Sequence, residues 1–176
     1  MPAMIEARDE ANDLSLLRAE PDIGVPVEFK RDGEPAAGSL ILVANFSEAQ
    51  GLANLGQAQG RTLFNGMIMV GPPTRSEAAT RLYIVVEARP GSSGSPVIDP
   101  NGFVAGLISS KVSWHGRSAP PGQPSEVRVA IGAASAKDFL RRHDVNFLEV
   151  ATRPSNRSGR ANMLLQYSEV RVECRA

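Results

Sequence analysis

Six short apolar runs follow one another between Gly38 and Ile131, separated by stretches rich in glycine, proline or small polar residues: "GSLILVA", "RTLFNGMIMV", "RLYIVVE", "SPVID", "FVAGLISS" and "EVRVAI". Spacings of roughly ten residues with turn signals between them belong to an all-β sandwich or barrel rather than to βαβ units. The stretch "SEAQGLANLGQAQG" has no helical apolar stripe and reads as loop, and "SWHGRSAPPGQPS", with three prolines, reads as another. One helix is expected, over "AASAKDFLRRH", where Ala136, Phe139, Leu140 and His143 fall on one face by the i, i+3, i+4, i+7 rule.

Upstream, "NDLSLLR" and "GVPVEFK" read as strands broken by "AEPDI", and "KRDGEP" as a turn. From Asp144 the pattern weakens. "ATRPSNRSGRAN" reads as an exposed linker, and "SEVRVEC", in which Val170, Val172 and Cys174 alternate, as an edge strand.

Composition removes several function classes. A chain of 176 residues suits one ordinary domain or two small subdomains. Lys+Arg and Asp+Glu number 19 each, and no basic stripe argues for nucleic acid. Cys174 alone cannot form an internal disulfide. With His115 and His143 it makes no zinc-ligand spacing, so neither a metal nor a cofactor is expected. The apolar runs are far shorter than the ~20 residues of a membrane helix, so no membrane insertion is expected.

The chemistry concentrates in "GSSGSP", residues 91–96. A serine hydroxyl attacks only if a base takes its proton and backbone N–H groups await the oxyanion. Glycines beside a serine let the backbone turn sharply and aim such N–H groups into one concavity, here those of Gly91 and Ser93. An α/β-hydrolase elbow would need G-x-S-x-G, and Ser95 stands where the last glycine would be.

The pattern Gly91-Ser92-Ser93-Gly94-Ser95-Pro96 resembles the nucleophile loop of trypsin-like, chymotrypsin-fold serine proteases of the bacterial branch. "VIDPNGFVAGLIS" looks like the two strands that follow that loop, and "VRVAIGAASAKDFLRRHDV" is similar to the closing strand and C-terminal helix of bacterial members. Independently, "NDLSLLR" resembles the segment whose aspartate orients the catalytic histidine, which would be Asp13. The resemblance implies an all-β fold: a chymotrypsin-like six-stranded second barrel with a C-terminal helix over residues 38–147, and remnant strands of a first barrel and a linker over 1–37. Residues 148–176 would be a linker and a C-terminal strand.

By the same resemblance, Ser93 is the nucleophile and Asp13 the orienting acid, the Gly91 and Ser93 amides form the oxyanion hole, and Ser109, Ser110 and Lys111 pair with a bound peptide. Glu87, six positions before the nucleophile, would lie at the floor of the specificity pocket and favour Arg or Lys in the substrate. The chain departs from the family in one respect. The general-base histidine precedes the aspartate in this fold, yet none of the twelve residues before Asp13 is histidine. His115, in the proline-rich loop, and His143, on the helix, are out of order for that role. The expectation is therefore a fragment or a mis-assigned start, with low or no activity in this chain alone.

Two functions follow: a serine endopeptidase acting on protein or peptide substrates, or a catalytically inactive remnant that binds extended peptides by strand addition. Unpaired edges over residues 12–30 predict self-association. A single cysteine fits a bacterial cytoplasm, a periplasm or secretion alike.

Overall fold

The computed structural model describes residues 3–19, 25–46, 61–69, 81–86, 92–113, 126–151 and 161. Its elements are β1 (Ala3–Asp9), β2 (Leu14–Ala19), β3 (Glu28–Lys30), β4 (Leu40–Phe46), β5 (Arg61–Met69), β6 (Arg81–Val86), β7 (Pro96–Ile98), β8 (Phe103–Ser113), β9 (Glu126–Gly132), α1 (Ala133–Arg142) and β10 (Leu148–Val150).

The six runs of the sequence become β4 to β9. Antiparallel ladders join β4 to β5, β5 to β6, β6 to β9, β8 to β7 and β7 to β4, and the pairing of β8 with β9 closes them into a barrel. Closure leaves these strands without the two free edges of an open sheet. Alternation along each strand then decides what faces inward. Ile41, Val43, Ile84 and Val97 are essentially inaccessible and pack with Ile68, Ile108 and Ala130 in the interior. Each such aliphatic side chain contributes about 1.5–3 kcal/mol by leaving water. Two glycines set how closely neighbouring strands approach. A Cβ on Gly66 would stand 2.6 Å from the Val85 carbonyl oxygen, and one on Gly106 would strike the carbonyl of Ile131 on β9.

Outside the barrel, α1 covers β8. Ala133 and Ala136 pack on Phe29 and Val104, with Leu107, Leu140 and Phe147 at the margin. Gly132 offers no side-chain cap to this helix. Glu34 caps it instead, accepting the Ala134 N–H at 2.8 Å from 100 residues away in sequence. A carboxylate at this end also complements the helix dipole, as Arg141 and Arg142 do at the other.

Several local expectations change. The strand expected over "GVPVEFK" is confined to Glu28–Lys30, and it lies in the barrel's own sheet, parallel to β8 on one side and to β10 on the other. A three-residue strand such as β10 has no periodicity to read, because tertiary pairing rather than local pattern creates it. The strand over "NDLSLLR" starts only at Leu14, since Asp13 takes a φ of 53° in the turn, and its hairpin partner β1 was not foreseen. His143 ends the helix as its C-cap. It is exposed, with its ring edge-on to Phe139 at 4.9 Å between centroids. The edge strand expected over "SEVRVEC" and the loops "SEAQGLANLGQAQG" and "SWHGRSAPPGQPS" lie outside the described residues, apart from Ser113 at the end of β8.

Candidate active site

Ser93 sits at the tip of a tight turn. The Ser95 N–H donates to the Ser92 carbonyl at 3.1 Å, and Gly94, third of the four residues, has a φ of 84°. A positive φ at that position is what a type II turn requires, and glycine adopts it without strain. Ser92 and Ser95 are buried at 3% and 4% exposure, while Ser93 between them is exposed. The turn is pinned to β8 from both sides: Gly94 N–H donates to the Ile108 carbonyl at 2.6 Å, and Ile108 N–H donates to the Ser95 carbonyl at 2.9 Å. The strand therefore fixes the height and direction of the serine hydroxyl. Among the described residues no backbone carbonyl accepts the Ser93 N–H, which suits a donor waiting for an anion.

The next residue of β8 joins the two predicted catalytic groups. Between Ile108 and Ser110 the register with β9 slips, so Ser109 is the extra residue of a β-bulge. Bulges re-aim side chains that a regular ladder would hold in line. The Ser109 carbonyl accepts the Ser93 hydroxyl at 3.3 Å, and the Ser109 hydroxyl donates to Asp13 Oδ2 at 2.5 Å. One residue thus holds the serine through its backbone and the aspartate through its side chain. At 3.3 Å the bond to Ser93 is a long one for two oxygens, so it parks the proton without activating the oxygen.

Asp13 reaches Ser109 from the β1–β2 hairpin, which is tied to the end of α1. Arg142 donates to Asp9 Oδ2 at 2.6 Å, and the same carboxylate accepts the Asn12 N–H at 3.1 Å and the Asn12 side-chain amide at 2.8 Å. The Arg142 hydrogen bond first, and the Asn12 bonds next, hold the Asp9 carboxyl down at about 2, well below its usual value. Leu14 and Leu16 of β2 lie along an apolar groove of about 570 Å³ that Phe29, Leu107, Phe139 and Leu140 also line.

Of the residues expected at the site, Ser93, Asp13 and Ser109 are brought together. Ser110 and Lys111 follow them, exposed, on β8. Gly91, Glu87 and His115 lie outside the described residues. Sequence reasoning missed the bridging role of Ser109 and the Asp9–Arg142 clamp. The first depends on a bulge and the second on partners 133 residues apart, so neither leaves a local signal. Chemically, the cluster offers a hydroxyl on a rigid turn beside an N–H that no carbonyl of the described residues accepts, and a carboxylate fixed nearby. This is the frame in which an imidazole placed between acid and hydroxyl would act as general base.

The comparisons point the same way. The family model described as a trypsin-like peptidase domain matches residues 1–107. An uncharacterized protein of Sinorhizobium fredii, y4bJ, is 31% identical over 147 residues. The match takes in 83% of this chain but only 22% of the relative, so the chain spans about a fifth of that protein's length. Two crystal structures of the inactive form of the Rv3671c protease from M. tuberculosis H37Rv superpose with a TM-score of 0.54 at 17% and 16% identity. They cover 80% of this chain and 63% and 66% of their own, and they show the fold. Matched over more than half its length, with a closed antiparallel barrel and a C-terminal helix, the chain belongs to the trypsin-like peptidase domain family and has the chymotrypsin-like fold of a trypsin-like serine protease.

Proposed function

We propose that this chain carries the nucleophile and acid of a serine endopeptidase site: Ser93 attacks a peptide carbonyl and Asp13 orients a histidine contributed from outside residues 1–12. The Gly91 and Ser93 amides bind the oxyanion. The observation that supports this reading best is the double engagement of Ser109, whose carbonyl takes the Ser93 hydroxyl and whose own hydroxyl holds Asp13. An extended peptide adds along Ser109, Ser110 and Lys111. On its Ser93 side, β8 has no strand partner beyond Leu107 among the described strands.

That same edge favours a second reading, a peptide-binding protein without turnover, because strand addition needs no general base. Removing one member of a triad leaves only about 10³-fold acceleration over water from the remaining groups. A fluorophosphonate probe tests the first reading. It should label the wild-type chain slowly and the Ser93→Ala variant not at all, with Asp13→Asn labelled more slowly than wild type where a histidine-bearing partner segment is supplied. Equal labelling of wild type and Ser93→Ala would remove Ser93 from the nucleophile's position. Binding of an unreactive extended peptide that survives Ser93→Ala but is lost when a proline replaces Ser110 would support the peptide-binding reading.

A further inference from the structure

We infer that Arg142, at the end of α1, is a positioning residue for the acid of the site: through Asp9 it holds the β1–β2 turn in the conformation that brings the Asp13 carboxylate to Ser109. This rests on the proposed peptidase reading, in which Asp13 is that acid. The turn runs Asp9-Glu10-Ala11-Asn12-Asp13. Among the described strands β1 and β2 pair with each other alone, so no ladder joins the hairpin to the barrel. Among the described residues its polar ties to the rest of the protein stand at the two ends of this turn, Arg142 to Asp9 at 2.6 Å and Ser109 to Asp13 at 2.5 Å.

Asp13 has a φ of 53°, in the left-handed region where an L side chain crowds its own backbone. Such a conformation persists where the surroundings over-determine it. The Asp9 carboxylate accepts the Asn12 N–H at 3.1 Å and the Asn12 side-chain amide at 2.8 Å, which fixes the residue just before Asp13. Asn12 Oδ1 is buried with no hydrogen-bond partner among the described residues, so the hold on this side chain comes from Asp9. If Asp9 lets go, the peptide unit before Asp13 can turn, φ can relax to a negative value, and the carboxylate leaves Ser109.

Arg142 reaches Asp9 from a fixed place. Its guanidinium lies over the Phe139 ring, 5.7 Å from the centroid, and its Nε donates to the Asp138 carbonyl at 3.4 Å. The Asp9 side chain that it meets is only 9% exposed. A nearly buried carboxylate that loses its cation is left uncompensated, and the chain around it shifts to bring it to water. Arg141 supplies the contrast. It ends the same helix, but its guanidinium bonds Asp138 and Glu149 and lies over Phe147, none of which belongs to the hairpin.

Free imidazole stands in for the outside histidine in the test. The full chain is labelled by a fluorophosphonate with and without imidazole. A bond forms from Ser93 Oγ to phosphorus, fluoride leaves with the electrons of its own bond, and the serine proton passes to imidazole. Imidazole should speed labelling of the wild-type chain, and Asp13→Asn should lose most of that gain. Arg142→Met should cut the gain by about tenfold to a hundredfold, the effect of displacing a catalytic group by a fraction of an ångström to one ångström. The loss should be confined to the imidazole-dependent part, because the Ser93 turn is bonded to β8 rather than to the hairpin. Arg142→Lys should restore part of the gain, and Arg141→Met should match the wild type. Amide exchange in Arg142→Met should quicken over residues 9–14 and stay unchanged over 94–98. A full gain in Arg142→Met, an equal loss in Arg141→Met, or unchanged exchange over 9–14 overturns the inference and leaves Asp13 as the acid. No gain from imidazole in the wild type, or an equal gain in Asp13→Asn, overturns the reading of Asp13 and the inference with it.

Discussion

Replacing Gly106 by alanine puts one methyl group of β8 against the backbone of β9. The added Cβ meets the Ile131 carbonyl first, then the Ile131 carbonyl carbon at 3.2 Å and Leu82 Cδ1 at 3.4 Å. The nearest atom belongs to the backbone of a strand held by β6 on one side and β8 on the other, so it cannot swing aside as a side chain would. The cost is that of overpacking a well-filled interior at its upper end, about 3 kcal/mol. For a chain of this size each kcal/mol moves the melting temperature by about 2–4 °C, so Gly106→Ala should melt about 6–12 °C lower.

Gly38→Ala is the control. Its φ is 85° and nothing lies within 4 Å of the added Cβ, so it meets left-handed strain alone, about 1–2 kcal/mol. Thermal melts followed by circular dichroism, with urea titrations to check that the transition stays cooperative, measure both. If Gly106→Ala melts within 2 °C of the unsubstituted chain, β8 and β9 are not packed as described and the closure of the barrel is misread. A large loss should also reach the site, because Ile108, two residues on, pins the turn that carries Ser93.

Three further outcomes follow. The Asp9 carboxyl is held at about 2 against an ordinary 3.8, so the stability it contributes is complete above pH 4 and fades as the pH falls toward 2; melts at pH 6 and pH 3 should show this loss, and an identical loss in Asp9→Asn would show that the clamp has no part in it. Glu34→Ala removes the carboxylate that accepts the Ala134 N–H at the start of α1 and should cost about 1 kcal/mol, read as a 2–4 °C fall in melting temperature; an unchanged melt would mean that solvent caps the helix equally well. Met4, Ile5, Val25, Leu40 and Leu148 are exposed, so sedimentation should show concentration-dependent association of the isolated chain, and a monodisperse monomer up to high concentration would contradict it.

The six barrel strands were legible because a closed barrel imposes an inside and an outside on every strand, and that alternation is written in runs such as "RLYIVVE". The helix was legible for the same reason at a different period, through Ala136, Phe139 and Leu140. Ser93 could be singled out because it lies in a glycine turn with its own local chemistry, and Asp13 only because "NDLSLLR" resembles a segment of the family. Ser109 could be placed on the strand after the turn, but its part as the bridge between Ser93 and Asp13 could not, since that follows from one residue of slippage against β9. Glu34 as the cap of a helix 100 residues away, and β3 and β10 as additions to the barrel's sheet, are likewise products of packing that no window of sequence contains.

The hairpin bearing Asp13 is attached differently from everything else at the site. Ser93 is fixed by main-chain bonds to a strand of the closed barrel, whereas Asp13 is moored by a surface ion pair at Asp9, one hydroxyl at Ser109 and apolar contact along the groove. Added salt weakens the ion pair and barely touches the main-chain bonds. The hairpin can therefore come adrift while the turn bearing Ser93 keeps its place, which makes ionic strength a dial on how many molecules hold Asp13 against Ser109 at any moment.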